Sequence, residues 1–482
     1  MQAPTESEAT RVSPDGNLDR TLRPLPPFRN RYQPVIGAGV IIVAFLLGLL
    51  AKKPEIFALY MGTGLALGYI LTRSRFGFAG GVKRIYITGE GSLSKALLLT
   101  FAIAAVVTAG IHWAAVQDGA VAAWNAGRGA KVIPGTQVIL EIGLPLVLGG
   151  VIFGAGMIMA GGCASGTLAD LGEGAVRVLF SLPFFILGSV PGHWLRAVMT
   201  ESPIGTGVRV YLPDHLGYSG AVIATLLGLM GLWVLVRRYE QYRKREGYYQ
   251  VEEWDAGERY VPQEDTGKPF RFFSPRTYHH LMVTRWDFRT GGILLAFMFL
   301  FILITTKKSW GVTSAFTVWA VAFLDLFGIQ ITHPSFASIN TSVAGGLLNH
   351  SGSVRDVGII FGSACALLLA GRFRLDTKFS TVDAFTYAVG GLFMGVGARL
   401  AGGCNIGALF SGIGNLSLSG WVFGVALFTG GILALKYFHG RINLVGPERH
   451  TQPPNYPPVP ASAAGEETSG AKDVPASKGT SA

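Results

Sequence analysis

Residues 149–168 read GGVIFGAGMIMAGGCASGTL, and residues 390–409 read GGLFMGVGARLAGGCNIGAL. The two stretches align without a gap at an offset of 241, and ten of twenty positions are identical. The identities include Gly149 with Gly390, Gly154 with Gly395, and Gly166 with Gly407. They also include the triplets Gly161, Gly162, Cys163 and Gly402, Gly403, Cys404. A duplicated apolar segment that stops at a glycine pair is the sequence mark of a transporter with pseudo-symmetric halves and interrupted helices. Two successive glycines let the backbone leave the helix and approach a ligand closely. Such irregular backbone at membrane depth is tolerated only where protein or a water-filled cavity covers it. The N–H groups freed beyond the break suit an anion, as helix N-termini do. The earlier glycines, Gly150 with Gly154 and Gly391 with Gly395, have the spacing of close helix packing and need no substrate to explain them.

Working outward from the pair, each half contains a succession of apolar stretches: 35–51, 56–71, 96–115, 139–160, 178–195 and 221–236, then 293–305, 316–331, 357–369, 384–401 and 420–435. Several approach the ~20 residues that a helix needs to cross the hydrocarbon core. Composition agrees. Charged residues are 14% of the chain, against about 25% in soluble domains, and 66 of 482 residues are glycine, against a usual share of about 7%. The expected fold is therefore an all-α polytopic membrane protein. It has two pseudo-symmetric, inverted repeats with broken or re-entrant helices. The expected organisation is a disordered polar tail over 1–33, a first repeat half over 34–236, and a hydrophilic linker over 237–289. A second half over 290–440 and a disordered tail over 441–482 complete it. The stretch after the first methionine has no apolar core with a small-residue cleavage site, so no cleaved signal peptide is expected.

Net charge is +11. Arg237, Arg238, Arg243, Lys244 and Arg245 follow an apolar span, which places the linker in the cytoplasm under the positive-inside bias. Arg73, Arg75, Lys83 and Arg84 form a second basic run. It reads first as an anchor and second as an entrance that attracts anions. No nucleic-acid partner is needed to explain the charge. Three cysteines without metal-type spacing exclude a disulfide framework and a CxxC site, and no cofactor or metal is expected. No phosphate-binding motif occurs, which argues against ATP-driven transport by this chain alone. His112, His193, His333 and His350 are scattered and read as structural or interfacial.

A weaker echo links RSRFGFAGG at 73–81 with KKSWGVTSA at 307–315, each placing an aromatic residue before glycine: Phe76 before Gly77, and Trp310 before Gly311. With MAGGCASGT at 159–167, GARLAGGCNIGALFSGI at 397–413, SRFGFAG at 74–80 and KSWGVTSAF at 308–316, the chain resembles the YeeE/YedE family of sulfur-transport membrane proteins. The likeness covers most of residues 50–440. It implies a bacterial inner-membrane protein whose cysteine thiols hand a thiosulfate-like anion along by S–H···S hydrogen bonds. On this likeness Cys163 and Cys404 match the central cysteines of the pathway. Many family members have RFCFAG where this chain has RFGFAG, so the outer relay cysteine is replaced by Gly77.

The expected function is a membrane transporter or channel for a small sulfur oxyanion, with no enzymatic activity. A selenium-compound transporter of the same family, and a membrane-embedded sulfurtransferase using Cys163 or Cys404, are the alternative readings. The expected path comprises Cys163, Cys404, Gly161, Gly162, Gly402, Gly403, Asn405, Arg399, Gly77, Phe76 and Trp310. A thiol is a weak donor and a weak acceptor, which suits passage rather than retention of a soft anion. Both thiols are expected to be neutral in apolar surroundings. Arg399, whose repeat counterpart is Ile158, is an arginine inside a span and hence a functional candidate. Glu141, Asp170, Glu173, Asp325 and Asp383 are candidate partners for it or carriers of a coupling proton. Cys365 has no repeat counterpart and reads as packing. The linker is the expected contact for a soluble sulfur-carrier protein on the cytoplasmic side.

Overall fold

The computed structural model describes residues 32–202, 205–250, 272, 274–377 and 380–442. The tails expected over 1–33 and 441–482, and the centre of the linker, lie almost wholly outside them. Up to Glu201 the chain forms α1 (Gln33–Leu46), α2 (Pro54–Arg73), α3 (Gly80–Ile87), α4 (Ser92–Gln117), α5 (Leu144–Ala160), α6 (Ala164–Glu173) and α7 (Val178–Glu201). Next comes α8 (Leu212–Arg245), which runs across the expected boundary at 236, and then α9 (Phe288–Thr306), α10 (Thr313–Asp325), α11 (Ala337–Ala344), α12 (Ser351–Leu369), α13 (Thr381–Ala401) and α14 (Leu418–Tyr437). A π-helical turn, Asn405–Phe410, and the short helix Ser411–Gly414 connect α13 to α14. Ten helical stretches among the described residues are long and apolar enough to cross a membrane. The protein is a multi-pass membrane protein.

Two apolar stretches end differently from their sequence reading. Residues 316–331 supply only α10, which stops at Asp325 and is too short to span. In residues 139–160, Glu141 and Pro145 do not interrupt a helix. Glu141–Ile142 (β1) pairs antiparallel with Val208–Arg209 (β2), and Pro145 sits in the first turn of α5, where its missing N–H is harmless. The β pair also fixes direction. It puts the start of α5 and the end of α7 on the same face, so α5 with α6 crosses once and α7 returns.

The glycines of the duplicated segment join the halves. A Cβ at Gly149 would meet Gly397 and Ala401, and one at its counterpart Gly390 would meet Met159 and Ala160. Likewise a Cβ at Gly156 would meet Gly390 and Met394, and one at Gly397 would meet Gly149 and Phe153. The pairs 149 with 401 and 160 with 390 run in opposite directions, so α5 and α13 are antiparallel. Equivalent helices crossing antiparallel at the centre are what an inverted repeat requires. Other contacts come in matching pairs: α5 lies along α14 as α13 lies along α7, α2 along α12 as α9 along α4, and α1 on α12 as α8 on α4. Backbone-to-backbone approach at these glycines gives the close van der Waals packing that holds helices together in lipid, where hydrophobic burial between helices is weak.

The polar linker begins as structure. α8 runs past the composition break at Arg237 to Arg245. Its end packs on the α3–α4 turn, where Lys95 pairs with Glu240 at 2.9 Å and Arg243 donates to the Ile87 carbonyl at 2.8 Å. Residues 278–286 pack on the ends of α2 and α12. Arg73 donates to the carbonyls of Val283 and Ala366, and Tyr69 donates to Leu281 at 2.6 Å.

Candidate functional site

Each glycine pair ends its helix in the same way. Gly161 (φ +83°) and Gly402 (φ +89°) adopt the left-handed conformation that favours glycine and terminate α5 and α13. Cys163 and Cys404 follow in extended conformation and cap the next helical segments. Their carbonyls start those segments: Cys163 O accepts from Thr167 N at 2.7 Å and Cys404 O from Ala408 N at 2.8 Å. The backbone N–H groups of Ile406 and Gly407 face the Cys404 sulfur. Gly166, the counterpart of Gly407, lies under the Cys163 sulfur, and Ser165 Oγ stands 3.5 Å from it. Both thiols are free and buried. Asn405 joins the two breaks, with its amide Nδ2 3.5 Å from the Met157 sulfur of α5, and its carbonyl Oδ1 is buried without a hydrogen-bond partner among the described residues. Gly162 lies near the Asp170 carboxylate, and Gly403 packs on Ala408.

Arg399 meets none of the five acids suggested by sequence. Glu141 pairs with Arg209 at 2.7 Å, Asp170 with Arg177 at 2.6 Å, and Asp383 closes a capping box with Ser380. Instead Arg399 Nη2 donates to His193 Nδ1 at 3.1 Å. His193 Nε2 lies 3.0 Å from the Ser335 carbonyl, which can only accept, so Nε2 carries the hydrogen and Nδ1 is the acceptor. A second arginine, Arg196, occupies the space that a Cβ at Gly402 would need and is close enough to Arg399 for mutual repulsion. Among the described residues neither arginine has a carboxylate within salt-bridge distance. Two guanidinium groups thus stand adjacent at the glycine break, and one of them, that of Arg399, is held by His193; such a pair is chemically able to take an anion.

Phe76 and Trp310 are buried in one aromatic cluster with Phe78, Phe101, Phe299 and Phe410. Phe410, six residues after Cys404, is its hub. Its ring centroid lies 4.7 Å from Phe299, 5.3 Å from Phe101, 5.9 Å from Phe78 and 6.4 Å from Trp310. Ser411 donates to the Trp310 carbonyl at 2.7 Å, tying the KSW segment to the second break. Gly77 has almost open space where a Cβ would stand, so the backbone accommodates a side chain there. Cys365 lies apart, between α12 and α1, with its sulfur 3.6 Å from the Gly37 carbonyl.

Of the basic run, Arg73 anchors residues 278–286, and Arg84 pairs with Glu90 at 3.3 Å. Lys83 faces the Arg177–Asp170 pair, and burial, then Arg177, pushes its ammonium pKa down to about 8. His112 and His350 are structural. His112 bridges Tyr211 and the Pro134 carbonyl, and His350 caps α12. Arg196 and Phe410 were not singled out from sequence, and His193 was read there only as structural or interfacial. Arg196 lies one residue beyond the apolar stretch 178–195, and only the fold brings it to Gly402.

Residues 73–433 match the family model described as sulphur transport. The chain belongs to the sulphur-transport family. The thiosulfate transporter TsuA of Escherichia coli is 26% identical over 370 residues, 74% of this chain and 88% of that protein. The thiosulfate transporter TsuA of Spirochaeta thermophila is 26% identical over 291 residues, 59% of this chain and 74% of that protein. The probable transporter YedE of Escherichia coli is 32% identical over a shorter match of 132 residues, 27% of this chain and 33% of that protein. Family membership makes the chain a transporter of sulfur anions rather than an enzyme.

Proposed function

We propose that this chain carries a thiosulfate-like anion across the bacterial inner membrane, past Cys404 and Cys163 in turn. The observation that carries the reading is the symmetry of the two breaks. Each presents one buried thiol two residues after a left-handed glycine, and the α5–α13 crossing lies between them. The linker end of α8 marks the cytoplasmic face, because five of its last nine residues are Arg or Lys. Arg196 and Arg399 then stand toward the opposite, outer face, beside the β1–β2 pair. They collect the anion and pass it to the N–H groups and thiol at Cys404. Weak thiol and N–H donors hold it without trapping it, and Cys163 receives it on the inner side. Residues 237–250, packed against the α3–α4 turn, offer the surface on which a soluble sulfur-carrier protein takes over the product.

The test is uptake into proteoliposomes. Labelled thiosulfate, sulfite, sulfate and selenite are offered to wild type, Cys163→Ala and Cys404→Ala. The expected outcome is thiosulfate uptake by wild type and at least a tenfold loss in each variant, with the folded yield unchanged. Undiminished uptake by both variants would refute the thiol path. A selenite preference would point to the selenium branch of the reading.

A further inference from the structure

Asp356 lies in the second turn of α12 and is fully buried, and neither of its carboxylate oxygens has a hydrogen-bond partner among the described residues. Arg355 precedes it. Successive helical side chains diverge by about 100°, and Arg355 turns to α2, where its guanidinium lies 4.6 Å from the Tyr60 ring and Nε donates to Thr63 Oγ1 at 3.4 Å. Its Nη2 has no partner among the described residues. Asp356 is within electrostatic reach of Cys404, the sulfur of the outer break. An acid inside a span without donors is expensive to keep charged and marks a proton relay or ion path.

The other ionisable groups on the elements packed against α12 are few. α2 presents Tyr60 beside Arg355, with Glu55, Tyr69 and Arg73 elsewhere along it. Arg73 is bonded to the Ala366 carbonyl at the far end of α12. α6 carries Asp170 and Glu173, at the level of Ile360 and Ser363, where Gly172 packs. α10 carries only Asp325, at its end, and α1 carries none. His350 caps α12, and His279 and His280 lie by its last turns. Among the described residues, Arg355 and Cys404 are thus the ionisable groups that bear on Asp356.

The charge arithmetic links proton and anion. With both side chains ionised, Arg355 and Asp356 sum to zero. With Asp356 protonated, the pair is singly positive. An anion at Cys404 meets repulsion from the carboxylate in the first state and net attraction in the second. We propose that Asp356 is the proton-binding site that couples anion uptake to proton entry, making the chain an anion–proton symporter. The proposal rests on the transport reading above. An anion entering a cell works against an inside-negative potential, and a proton carried with it lowers the net charge moved. In the cycle the carboxylate takes a proton from the outer face, the anion binds, and both leave inward. No covalent bond other than the O–H bond forms or breaks.

The experiment uses the full chain in proteoliposomes with labelled thiosulfate and an internal pH-sensitive dye. Wild type is expected to accumulate thiosulfate when the outside is acidic and to show proton entry when thiosulfate is added. Asp356→Asn is expected to keep thiosulfate exchange at equal pH while losing gradient-driven accumulation at least tenfold. Wild type that exchanges thiosulfate but ignores the pH gradient overturns the coupling alone. Wild type without exchange overturns the transport reading and the coupling with it. Asp356→Asn with undiminished gradient drive and proton entry overturns the assignment. If Asp356→Asn loses exchange too, Asp356→Glu decides. Gradient drive with a displaced pH profile upholds the proposal, and drive with the wild-type profile overturns it.

Discussion

At the scale of single residues, the positions that matter combine a backbone demand with a charge demand. Gly402 needs a positive φ, and the guanidinium of Arg196 fills the room where its side chain would be. Arg399 is held by one hydrogen bond to His193, whose other nitrogen is committed to Ser335. Removing the Arg399 charge leaves the break intact but halves the cationic site. Arg399→Gln is therefore expected to raise the thiosulfate KM about tenfold, the effect of losing ~1.4 kcal/mol of uniform binding, with maximal rate little changed. Uptake measured across a concentration series checks it, and a fall in maximal rate at constant KM would contradict it. The symmetry of the sequence showed Arg399 as the odd residue against Ile158, which made it visible. Its partners His193 and Arg196 sit on another helix, about 200 residues earlier, and no local pattern announced them. Asp356 escaped because the apolar stretch that begins at 357 stops one residue short of it.

At the scale of elements, the crossing of α5 and α13 is the structural centre. It depends on glycines whose missing Cβ atoms let one backbone rest on another: a Cβ at Gly397 would lie 2.7 Å from the Gly149 carbonyl. Gly397→Leu is expected to force the helices apart, with a cost of at least ~1–3 kcal/mol typical of overpacking and more where backbone is the obstacle. Gly110, which has nothing near its missing Cβ, is the control. Thermal unfolding in detergent should show a clear drop in the melting temperature for Gly397→Leu and little change for Gly110→Ala. Equal melting of the two would remove the crossing from its central role. The glycine spacing made this packing legible, because the same grammar occurs in both halves. The short helix α10 was less legible. Its apolar character continues to residue 331, but backbone N–H and C=O groups after Asp325 no longer bond in helical register, and composition does not record that.

At the scale of the whole molecule, the two ends differ in charge chemistry. On the proposed orientation, the outer end has Arg196 and Arg399. The inner end has Lys83, whose ammonium pKa is pushed down to about 8 by burial and then by Arg177, against the opposing pull of Asp170. A lysine with a lowered pKa is charged below that value and neutral above it. Attraction of the anion from the inner face is therefore present at pH 7 and lost as pH rises through 8. Thiosulfate exchange with pH varied only on the inner face should weaken several-fold between pH 7 and 9. Lys83→Met should flatten that dependence. A profile that is the same in wild type and Lys83→Met would separate Lys83 from the path.

The sequence alone determined the membrane class, the duplication and the two cysteine-bearing breaks. These depend on composition and local backbone freedom, which one chain segment carries by itself. Only the tertiary structure decided that equivalent helices cross antiparallel, that Arg196 stands over Gly402, and that His193 rather than an acid holds Arg399. It also showed Asp356 fully buried, with no hydrogen-bond donor among the described residues. These facts arise from contacts between segments tens to hundreds of residues apart. Their energies come from packing, from desolvation and from charges brought together across helices, and no single segment encodes them.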